Sequence, residues 1–391
     1  MLSRQDTVKL IRCISRTHLR QTDKERMQHF LKKDVPWDHL KILAEMEGVS
    51  GLLYHYLKTP GLVDFLPKSF IEYLENSYRQ TTKHTLAIVE EAEAIASRLE
   101  QAQIPVIALQ GLSLIRVYGD PGFRPLGDID LMVKSSHKGR LKGLLWEAGY
   151  TMPAPIYPDL LCKDGIWVDI HTHILNLSRI QSRRYLFPED LSPMWERAIL
   201  FSDKSRGLLL LDPYDNFIAL AAHALKHSYS RLIWLVDLHE SLLKWVKNPD
   251  GWEGIVERTQ FWQQEKVVLY VLIQMERIFD LKVPLWVKHD LGIQRLNILE
   301  KHLIRLKLRG FSSEGLCFGL WLCNIKGAGR KLKFFRETIF PRDDIMAQIF
   351  PPKSGTGSRL VYPKRIINAV ILLWKNLRQA LTFFFRAGGN G

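Results

Sequence analysis

The chain is poor in cysteine, in long apolar runs and in sequence repetition. Its four cysteines, Cys13, Cys162, Cys317 and Cys323, are scattered along 391 residues. No two of them have the spacing of a zinc knuckle or a redox dithiol, so reduced, buried thiols are expected. No uninterrupted apolar run reaches the roughly 20 residues that a membrane helix needs. The opening residues, Met-Leu-Ser-Arg-Gln-Asp-Thr-Val-Lys, lack the apolar centre of a signal peptide, which predicts a cytoplasmic protein. There is no internal repeat and no low-complexity tract. Acidic residues are also in deficit: 41 stand against 55 basic ones, a formal net charge of +14. An anionic partner follows, whether nucleotide, nucleic acid or membrane surface. With 46% hydrophobic and 25% charged residues, the composition is that of a folded globular protein. The length suggests two or three domains of about 150 residues each.

The chain reads as an α+β protein in which a small mixed sheet is flanked by mostly helical N- and C-terminal regions. Residues 1–102 carry helical periodicity, for example Val8, Leu10, Ile11 and Ile14, and then a helix from about Pro67 to Gln101. At Ile104-Pro-Val-Ile-Ala-Leu109 the pattern changes to a β-branched run, followed by a short helix over Leu112–Tyr118. A strand over Asp128–Val133, a helix over His137–Ala148 and an alternating strand over Gly165–His171 complete an α/β core within residues 103–212. Helical periodicity returns over 213–349. Residues 350–391 read as a Pro/Gly/Ser-rich loop followed by a basic amphipathic tail.

Two aspartates stand one residue apart in Arg124-Pro-Leu-Gly-Asp128-Ile-Asp130-Leu-Met-Val133. In a strand, side chains at i and i+2 share a face, so Asp128 and Asp130 project together. Carboxylate oxygens suit Mg²⁺, which is commonly held by one or two of them together with substrate phosphates. The same alternation puts Asp169 and His171 on one face of the later strand. If the two strands pair, Asp169 becomes a third carboxylate, and such a set can hold two metal ions about 3.5–4 Å apart for phosphoryl displacement. Upstream, Gln110-Gly111-Leu112-Ser113 joins strand to helix, where backbone N–H groups can receive a triphosphate and glycine permits its close approach. Arg124 is spaced to add a guanidinium beside those phosphates.

The order Leu-Gln-Gly-Leu-Ser, then Tyr118 to Leu131, then Val168-Asp169-Ile-His171 resembles the polymerase-beta-type nucleotidyltransferase superfamily. More narrowly, these motifs together with His223-Ala-Leu-Lys-His227-Ser-Tyr-Ser-Arg231 resemble a bacterial nucleotidyltransferase family whose members often lie beside cell-surface polysaccharide genes. The resemblance spans about residues 30–350. It implies transfer of a nucleoside monophosphate from an NTP, ATP among them, to an acceptor hydroxyl on a glycan, a lipid-linked glycan or a protein. It further implies that Asp128 and Asp130 hold two Mg²⁺ ions, that Asp169 binds the catalytic one, and that Gly111 and Ser113 lie under the phosphates. Two departures stand out. Leu112 separates Gly111 from Ser113, and Gln110 stands where the narrower family leads one to expect lysine. That replacement motivates an alternative, a non-catalytic nucleotide sensor or partner-binding protein on a transferase scaffold.

His223 and His227, at i and i+4, share a helix face and can meet a metal or a phosphate. No carboxylate with zincin spacing accompanies them, so one histidine packed in an interdomain cleft and the other solvated is the simpler reading. Arg231 and Asp237 read equally as a nucleotide contact and as a structural ion pair, and His171 and His173 as end-of-strand polar residues. From Lys326 onward 13 basic residues face 3 acidic ones, so most of the net charge is local. The segment 364–386 mixes Lys and Arg with Trp, Phe and Leu, as a peripheral membrane helix or a docked C-terminal helix does. The basic residues do not alternate with aromatics along a groove, so nucleic acid ranks last among the partners.

Overall fold

The computed structural model describes residues 10–12, 15–17, 21–59, 61–203, 205–308 and 315–349. The basic tail 364–386 and the loop before it lie outside them. The architecture is α+β: one mixed sheet set against helices. Six strands make up the sheet: β1 (Val106–Ala108), β2 (Ile129–Val133), β3 (Leu160–Lys163), β4 (Ile166–His171), β5 (Ile199–Ser202) and β6 (Ser205–Leu210), in the order β3-β4-β2-β1-β6-β5. The strands β1, β2 and β4 match the three runs expected from sequence. Of the other three, β3 forms a hairpin with β4 at one edge and β5 a hairpin with the interior strand β6 at the other, and the weak alternation of the edge strands hides them: Ile199 and Leu200 are both exposed, and β3 is half-buried at three of its four residues.

At the centre, β2 runs antiparallel to β1 and parallel to β4. Ile129, Leu131 and Val133 of β2 face one side with Val106, Ala108, Val168, Ile170, Leu208 and Leu210. That side is covered by Ile88, Ala92, Ile95 and Leu99 of the helix Lys68–Gln101 and by Leu141 and Leu145 of the helix Lys138–Glu147. Each fully buried aliphatic side chain contributes roughly 1.5–3 kcal/mol, so this layer fixes the register of the sheet. The other side, carrying Ile107 and Met132, packs on Phe217, Ile218 and their neighbours in the C-terminal helices. By alternation Asp130 shares the face of Met132, so the acidic pair is turned toward the helical half.

That half begins with the helices Pro213–Lys226, Leu232–Trp245, Pro249–Phe261 and Glu265–Phe279. Asp212 caps the first by accepting from Tyr214 N and Asp215 N, with Pro213 at its first position. In the N-terminal region, the helix Ser50–Leu57 lies directly on the loop before β2. A Cβ on Gly51 would stand 1.9 Å from Gly122 O. That loop is held from its other side by Tyr78, whose hydroxyl donates to Asp120 Oδ2 at 2.9 Å, while Gly122 N donates to Asp120 Oδ1 at 2.8 Å. Cys162 and Cys323 are free thiols, each half-buried. No helix among the described residues is long and apolar enough to cross a membrane.

Because backbone faces the missing Cβ of Gly51, the strain cannot relax by a rotamer change. Gly51→Ala is expected to lower stability by roughly 1–3 kcal/mol, read as a shifted urea midpoint with an unchanged slope.

Candidate active site

The parallel pairing of β2 with β4 sets Asp130 opposite Asp169. His171, two residues along β4 on the same face, donates from Nε2 to Asp130 Oδ1 at 2.9 Å and lies 3.4 Å from Asp169 Oδ2. Ligand atoms of Asp130, Asp169 and His171 all fall within 4.8 Å of one another, close enough to share a metal ion. Sequence spacing alone predicts Asp128, Asp130 and Asp169 as the set. In the structure His171 joins Asp130 and Asp169 in the tightest trio, and Asp128 stands just before the first residue of β2, a step outside it. Two carboxylates and an imidazole suit Mg²⁺ or Mn²⁺, with the imidazole leaning toward the softer ion.

The electrostatics fit a site built to receive cations. Burial raises the Asp128 carboxyl to about 7, reinforced by the charges of Asp130 and Asp169. Asp169 is raised as well, chiefly by burial. Burial alone would lower His171, but its bond to Asp130 and the charge of Asp169 win, and its pKa rises. The His171 N–H thus gives the two carboxylates a hydrogen-bond donor.

The turn Gln110–Ser113 lies against this cluster, with Leu109 N donating to Asp130 O at 2.9 Å. Gln110 has φ +49°, a left-handed conformation that most side chains avoid. Ser113 is buried, its Oγ 2.6 Å from Gln110 O and 3.0 Å from Asn216 Oδ1. Gly111 does allow a close approach, but by Arg124: a Cβ there would meet Arg124 Nη1 at 2.8 Å and Leu126 Cδ2 at 2.9 Å. Arg124 in turn is clasped by Asp237, with Nε donating to Oδ1 at 3.1 Å and Nη2 to Oδ2 at 3.0 Å. Tyr118 donates to the same carboxylate at 2.7 Å. Asp237 is thus the ion-pair partner of Arg124, whereas Arg231 donates to Met46 O at 3.2 Å.

The helix Pro213–Lys226 crosses this surface. Its first turn carries Asn216 against Ser113, and its last residue, Lys226, feels the charges of Asp130 and Asp169. His223, His227 and Trp234 form one aromatic group, with ring centroids 4.6–5.3 Å apart. Burial, helped by neighbouring cations, pushes His223 well below the usual histidine range and His227 down to about 4, so both are neutral at pH 7. His173 is structural: its Nε2 meets Pro188 O at 2.8 Å and its Nδ1 accepts from Leu175 N at 3.0 Å. Sequence reasoning missed Lys226 and the roles of His171, Asn216 and Asp237. Only the alternation of β4 carried a signal, since it puts His171 on the face of Asp169.

A family model described as an uncharacterised nucleotidyltransferase matches residues 33–280. No curated protein and no solved structure matches the chain.

Two measurements check the site. Asp237→Ala leaves the Arg124 guanidinium buried without its anion, and a loss of roughly 3–5 kcal/mol in chemical denaturation is expected. With divalent ions chelated, Asp128 titrates at about 7 when folded and at about 3.9 when unfolded. The folded state then holds the extra proton, so stability falls as pH rises from about 4 to about 7. Asp128→Asn should flatten that part of the stability–pH curve.

Proposed function

The chain belongs to this nucleotidyltransferase family, and from that premise we propose that it transfers a nucleoside monophosphate from an NTP to an acceptor hydroxyl with the help of Mg²⁺. The observation that carries this reading is the meeting of Asp130, Asp169 and His171 in one cluster, with Asp128 beside it, at the boundary between sheet and helices. Asp128 and Asp130 would hold two Mg²⁺ ions, and Asp169 would bind the catalytic one. When bound, the metal neutralises phosphate charge and polarises the α-phosphoryl group.

The chain's own groups do the rest. The acceptor oxygen bonds to the α-phosphorus, the bond to the β-phosphate breaks, and pyrophosphate leaves. The hydroxyl proton passes to the Asp169 carboxylate, whose pKa burial raises, which makes it a better proton acceptor than a free carboxylate. His171, bonded to Asp130, orients that carboxylate and holds a proton on Nε2. The Gln110–Ser113 turn offers backbone N–H groups to the triphosphate, and Arg124, fixed by Asp237, supplies charge at the same end of the cleft. His223 and His227 line the cleft as neutral rings against the nucleotide.

One observation favours the second reading, a nucleotide-binding sensor without turnover. The Ser113 hydroxyl is already engaged by Gln110 and Asn216, and the Arg124 guanidinium by Asp237. Full-length protein incubated with Mg²⁺, each of the four NTPs and a panel of glycan, lipid-linked and protein acceptors separates the two. Pyrophosphate release should fall at least about 10³-fold in Asp128→Asn with Asp130→Asn, because the charge that gathers the metal is gone. Equal release by that variant and the wild type overturns the catalytic reading. Nucleotide binding without release supports the sensor.

A further inference from the structure

The helix Ala328–Ile339 carries four cations, Arg330, Lys331, Lys333 and Arg336, and a single acid, Glu337. Its inner side is anchored to the body. Phe334 is buried, with its ring stacked on Phe318 at 5.5 Å between centroids and edge-on to Trp321 at 6.2 Å. Glu337 accepts from Gln181 N and Ser182 N, both at 2.7 Å, and Arg330 lies 5.6 Å from the centre of the Tyr185 ring. The outer face is thus presented by a fixed support.

Two rows of side chains make up that face. On a helix, residues three apart lie on one stripe, and each next residue stands about 100° further round. Leu332 and Phe335 form an apolar row, 68% and 43% exposed. Lys333 and Arg336, also exposed, form a cationic row beside it. Neither closes an ion pair among the described residues, although Lys333 is within electrostatic reach of Glu337. Lys326, exposed just before the helix, closes none either.

Charge decides which occupant suits this face. A second copy joined by a two-fold axis would set the face against itself, cation near cation. Residues 350–391 hold 7 basic residues and no acidic one, so they add to the charge and do not neutralise it. A nucleic acid supplies phosphates but leaves Leu332 without an apolar partner. An anionic bilayer supplies both at once, phosphates at its surface and acyl chains just below. We infer that the outer face of Ala328–Ile339 docks on an anionic lipid bilayer, with Leu332 and Phe335 entering the acyl boundary and Lys333 and Arg336 meeting lipid phosphates. With 12 residues the helix lies in the plane of the interface and does not cross it. Docking of this kind does not depend on the nucleotidyl-transfer reading.

Co-sedimentation of the full chain with vesicles tests this. The probes are pure phosphatidylcholine and the same lipid with about one-third phosphatidylglycerol, at low and at high salt. The wild type should bind the mixed vesicles at least about tenfold more tightly than the neutral ones, and salt should weaken that binding. Lys333→Gln with Arg336→Gln should weaken it by at least about tenfold, and so should Leu332→Ser with Phe335→Ser. Because Lys333 and Arg336 are exposed, the first of these variants should keep the wild-type urea midpoint. Docking is overturned if the wild type binds mixed vesicles no better than neutral ones. It is equally overturned if either double variant binds as the wild type does, which would assign the lipid contact to another part of the chain. A single-stranded oligonucleotide bound in place of vesicles assigns the face to nucleic acid, and a dimer dissolved by Leu332→Ser with Phe335→Ser assigns it to a second copy. Either result overturns docking on lipid.

Discussion

Asp130 faces Asp169 across a parallel strand pair, and like charges opposite each other on a sheet repel. The repulsion is stronger here because both lie where the sheet meets the helical half and solvent screens them poorly. Asp128 adds a third carboxyl, and His171 hydrogen-bonds Asp130. Strands that repel at this end must be held together elsewhere. The opposite face does so: Ile129, Leu131, Val168 and Ile170 are buried under two helices, and a slip of one residue would turn them out and the aspartates in. The acidic cluster is tolerated because an apolar layer on the reverse of the same two strands leaves the register no alternative.

The loop before β2 meets a second constraint, since it must deliver Arg124 and Asp128 without drifting. Contacts from three directions restrain it. Gly51 lets a helix of the N-terminal region lie on Gly122, Tyr78 binds Asp120, and Asp237 of the helix Leu232–Trp245 clasps Arg124. The helical regions before and after the sheet are therefore part of the site's support. The match to the family model begins at residue 33, well before β1, and runs to 280, beyond the helix that carries Asp237.

The central strands could be read from sequence because their chemistry alternates: Asp128-Ile-Asp130 and Val168-Asp169-Ile-His171 show both the buried face and the acidic one. The edge strands could not. Ile199–Ser202 exposes Ile199 and Leu200 and its pairing is bulged between Leu200 and Ser202, so its pattern resembles a loop. Within the site, residues local to one motif were legible, and those that act across the fold were not. Gly111 does serve a close approach, but the group that approaches is an arginine from 13 residues away. Sequence reads Asp237 and Arg231, six residues before it, equally as a nucleotide contact and as an ion pair. The partner of Asp237 is Arg124, 113 residues away, because packing of the helical half on the sheet decides the pairing.

The same physics bears on why a glutamine, and not a lysine, stands at position 110. Gln110 sits in a left-handed turn beside Asp130 and close to Arg124, a place already served by one fixed cation. A lysine there would add charge next to a guanidinium that cannot move away, since Asp237 and the Pro125 carbonyl hold it.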